Sequence, residues 1–62
     1  MDVTKKAIES AYSAQVAAAY SVFAGAILEA GEDAAKIETA EHKFSRAVEL
    51  ANNVLTRANA LV

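Results

Sequence analysis

Eighteen consecutive residues, from Ala11 to Leu28, carry no charge; they read AYSAQVAAAYSVFAGAIL, and seven of them are alanine. Charges bracket the run, with Lys5, Lys6 and Glu9 before it and Glu29, Glu32 and Asp33 after it. A helix that is apolar all round its middle is buried on several sides rather than on one. The fold must therefore surround this segment with something other than water.

The chain itself is too short to do that alone. Its 62 residues make one domain, 1–62. A chain of this size buries a modest fraction of its surface and usually needs disulfides, a metal or partners. There is no cysteine, and the single histidine rules out a multi-histidine metal cluster within one chain. Partner chains are the remaining source of cover. A hydrophobic content of 55 % argues against intrinsic disorder. The net charge of −2, with both signs interspersed, gives no strong attraction to a polyanion or an anionic membrane. Lys5 and Lys6 before an apolar run have the layout of a signal peptide, but Asp2, Glu9 and a run rich in Ala, Ser, Tyr and Gln do not fit one. The expectation is no cleavable signal, and a protein that is soluble or part of an assembled particle.

With no proline and only two glycines, the composition favours helix. Asp2, or alternatively Thr4, can cap a first helix over about 3–30. Gly31 suits a left-handed C-terminal position, and Asp33 suits the N-cap of a second helix over about 34–60. A turn of 31–33 is so short that the helices must be antiparallel neighbours. The fold class is therefore all-α, an antiparallel two-helix hairpin. Lys5 and Lys6 at a helix start, and Glu29 at a helix end, oppose their own helix dipole; an antiparallel partner offsets each mismatch.

Hydrophobic spacing assigns faces. In the second helix Ile37, Ala40, Phe44, Ala47, Ala51, Val54, Ala58 and Leu61 step by threes and fours, with Val48, Leu55 and Val62 on one flank. Leu50 is an apolar exception on the polar side. In the first helix Ile8, Tyr12, Val16, Tyr20, Phe23 and Ile27 form a stripe of large residues. With Ile37, Phe44, Val48 and Leu55 they are the expected hairpin core. Roughly opposite lie Ser10, Ala14, Ala17, Ser21, Ala24 and Leu28, mostly small residues at heptad spacing, the expected interchain contact. Gln15, Ala18, Val22 and Gly25 cover the flank between the stripes.

Chemistry-bearing patterns are sparse. Glu38, Glu41 and His42 form the one acidic–histidine cluster, but its spacing is not the Glu-x-x-His of carboxylate-bridged metal bundles. A solvated i,i+4 pair is the simpler account, so neither a metal nor another cofactor is expected. The serines sit in no glycine-rich turn, and a three-residue loop offers no cleft, which argues against an enzyme and a small-molecule substrate. Lys36, Lys43, Arg46 and Arg57 are interrupted by Glu38 and Glu49, a weak pattern for nucleic acid. Eighteen uncharged residues approach the length of a bilayer span. Gln15, Ser13, Ser21 and two tyrosines within the run make a helix buried among other helices the better fit.

About 60 residues folded as a helical hairpin is an architecture shared with small dimeric RNA-binding four-helix bundles of the plasmid Rop type, and with helical-hairpin subunits of secretion needles and pilus-like tubes. The similarity is one of shape; no motif of those families stands in this sequence. The expected function is that of a non-enzymatic structural protein whose partners are copies of itself. They would join through the small-residue face into a multi-chain bundle or filament. The alternative is a small dimeric regulator or adaptor that binds RNA or a partner helix.

Overall fold

A computed structural model describes residues 3–62. Two α-helices, α1 (Val3–Ala30) and α2 (Ala34–Ala60), pack against each other as a hairpin. Asp2, one expected cap of α1, lies outside the described residues. Thr4, the other, lies inside α1 rather than ahead of it.

The turn forms through two local devices. Gly31 adopts φ +59°, a left-handed conformation that costs glycine little. Its N–H donates to the Ile27 carbonyl at 3.3 Å, and the Asp33 N–H donates to the Ala30 carbonyl at 3.0 Å. These bonds satisfy carbonyls that the end of α1 would otherwise leave unpaired. Asp33 then caps α2: its Oδ1 accepts from the Ala35 N–H at 3.1 Å and the Lys36 N–H at 3.3 Å. A carboxylate at this position also faces the positive end of the α2 dipole.

The seam is built on alanine. Ala30, Ala40 and Ala51 are the buried hydrophobic residues, with Ala51 only 1 % exposed. Ile8, Tyr12, Val16, Phe23 and Ile27 of α1, and Ile37, Phe44, Val48 and Leu55 of α2, are half-buried around them. Phe23 and Phe44 stack across the seam with ring centroids 4.9 Å apart. Near the other end the Tyr12 hydroxyl donates to Asn52 Oδ1 at 3.2 Å, while Asn52 Nδ2 donates to the Val48 carbonyl.

Tyr20 requires a correction. It is 61 % exposed and does not belong to the hairpin core. Two successive steps of four residues, from Tyr12 to Val16 to Tyr20, each overshoot the 3.6-residue turn and walk the side chain off the packed face. The inner line instead continues through Ala19, Phe23, Ala26 and Ala30, which alternates steps of three and four. On α2, Val54 and Leu61 of the seam lie at its exposed rim, whereas Leu55 and Ala58 turn inward.

The hairpin is long and thin. Its principal extents are 48 × 15 × 8 Å between Cα atoms, and its radius of gyration is 14.6 Å. A compact domain of this length would have a radius of about 11 Å.

Candidate functional site

The feature that stands out is apolar surface left uncovered. A folded monomer of 6.5 kDa exposes about 3,800 Å² by the usual scaling with mass. This chain exposes 4872 Å². The difference, on the order of 1,000 Å², is comparable to what one partner hides in a standard protein interface, about 800 Å².

Exposed apolar side chains of α1 fall on two of its sides. The first is its back, turned away from α2. Ser10, Ala14, Ala17, Ser21, Ala24 and Leu28 all lie there and all are exposed, Leu28 by 84 %. No charged side chain interrupts this stripe. The small side chains leave the helix backbone close to the surface, so a second helix can approach it nearly axis to axis.

The second side is a grooved face where α1 meets α2. One groove, of about 190 Å³, is lined by Ala19, Val22, Phe23 and Ala26 from α1 and by Ala40, Lys43, Phe44 and Ala47 from α2. A second, of about 140 Å³, has Ile8, Ala11, Tyr12 and Gln15 facing Ala51, Val54, Leu55 and Ala58. Nearer the turn a third brings Glu29 alongside Ala35, Lys36 and Thr39. Glu29 thus sits at the start of α2, and Ile8 sits level with Ala58 at the far end, so each helix begins beside the end of the other. Val22, 74 % exposed, stands between the back and the grooves. Leu50, the apolar exception of α2, is 59 % exposed and lines the outer surface with Arg46, Glu49 and Asn53.

The charged groups give a different picture. His42 Nε2 approaches Glu38 Oε1 at 3.8 Å, with both side chains about three-quarters exposed. Among the described residues no three His, Asp or Glu side chains converge to hold a metal ion. Lys36, Lys43, Arg46 and Arg57 are exposed along α2 with Glu38 and Glu49 between them. By length and composition α1 is also apolar enough to cross a bilayer.

No protein-family model, curated protein or solved structure matches the chain.

Ala19, Ala26 and Ala30 are inward residues that the sequence reading passed over. The signal was present as the three–four stepping around Phe23, but large side chains drew the stripe towards Tyr20. Val22 and Gly25 were placed on a flank; the structure adds that this flank borders the grooves.

Proposed function

We propose that the protein is a non-enzymatic structural subunit, a helical hairpin that self-associates through the small-residue back of α1. The observation that carries this reading is the excess of exposed surface over what a monomer of 6.5 kDa displays. The location of that surface gives the partner its chemistry. An uncharged helix face of alanine and serine, ending in Leu28, offers a docking helix close approach but no hydrogen-bonding or ionic anchor. A second hairpin presenting the same face fits that description. An isologous contact yields a closed four-helix bundle, whereas a heterologous contact that does not close yields a filament.

The mass of the native particle tests the proposal. Light scattering over a range of concentrations, followed by negative-stain microscopy, is expected to show a discrete oligomer or an extended object. A mass that stays at 6.5 kDa throughout would sink it. The same measurement at rising salt separates apolar assembly from an adaptor that binds RNA through Lys43, Arg46 and Arg57. RNA binding weakens steeply with salt; contacts of alanine and leucine do not.

One observation favours a second reading, insertion of α1 into a bilayer. At 28 residues α1 is long enough to span a hydrocarbon core of about 30 Å, and no residue of its apolar window is fully buried within the hairpin. Co-sedimentation with neutral lipid vesicles decides between the two. The assembly reading expects the protein to remain in the supernatant as an oligomer.

A further inference from the structure

We draw no further inference here: the strongest candidate, the apolar groove between α1 and α2 that Val22, Phe23, Lys43 and Phe44 line, carries nothing because nothing in the structure shows what covers it.

Discussion

Phe23 and Phe44 stack across the hairpin with centroids 4.9 Å apart and planes inclined by 29°. They form an aromatic contact between the helices, and they meet beside a seam of alanine. Ala40 and Ala51 bring the helices close, and the rings occupy the edge of that contact, opening onto the groove that Val22 and Lys43 also line. The pair therefore belongs both to the fold and to the wall of a surface.

Phe44→Ala should destabilise the hairpin, but by less than a fully enclosed ring would. Complete burial costs about 3–5 kcal/mol on truncation; a half-buried ring scales to about 2 kcal/mol. Urea denaturation followed by helical circular dichroism at fixed concentration gives the number. No change in midpoint would remove the aromatic pair from the account of stability.

Ala17→Glu separates fold from assembly. Ala17 lies on the exposed back of α1 and is not part of the seam, so the separated hairpin should keep part of its helicity. A carboxylate in the middle of an uncharged contact would have to be desolvated without a partner, at a cost of several kcal/mol. The expected outcome is a light-scattering mass reduced to that of the monomer. An unchanged mass would rule out the small-residue contact.

Asp33→Ala removes both hydrogen bonds that start α2. Loss of an N-cap costs about 1 kcal/mol. A shift of that size in the thermal midpoint, with helix content nearly intact in the folded state, is expected. Asp33→Asn should recover most of it, because the amide oxygen can accept the same bonds.

Gly25→Ala should stabilise the hairpin. The added methyl group meets nothing within its own chain, so helix propensity alone raises stability by about 1 kcal/mol. Urea denaturation followed by circular dichroism at fixed concentration checks this; a lowered midpoint would show that the methyl group collides with a neighbour that one hairpin does not supply.

The turn and both helices were legible in the sequence because each depends on one or two residues with a strong local preference. Gly31 alone supplies cheap left-handed backbone, and Asp33 alone sits where a cap is needed. α2 was legible because its polar side is charged, which leaves one face for packing. α1 carried less information. With no charge from Ala11 to Leu28, hydropathy does not say which side is inward, and side-chain size drew the stripe to Tyr20. Ala19 and Ala26 carry too little apolar area to register beside tyrosine, yet close helix packing selects them. The grooved face was harder still, since a groove depends on relative helix height, which the Phe23–Phe44 and Tyr12–Asn52 contacts establish only in three dimensions.

An extent of 8 Å in its thinnest direction means that the hairpin is a plate rather than a globule. In a plate one helix deep, nearly every side chain is at most one neighbour away from the outside. Cooperativity then cannot reside in a shared interior, as it does in a domain of several layers. Under the proposed self-association it comes from stacked plates. On that basis dilution acts as a denaturant for this chain: lowering its concentration should loosen the helices as well as separate the copies, and the melting temperature should track the logarithm of concentration.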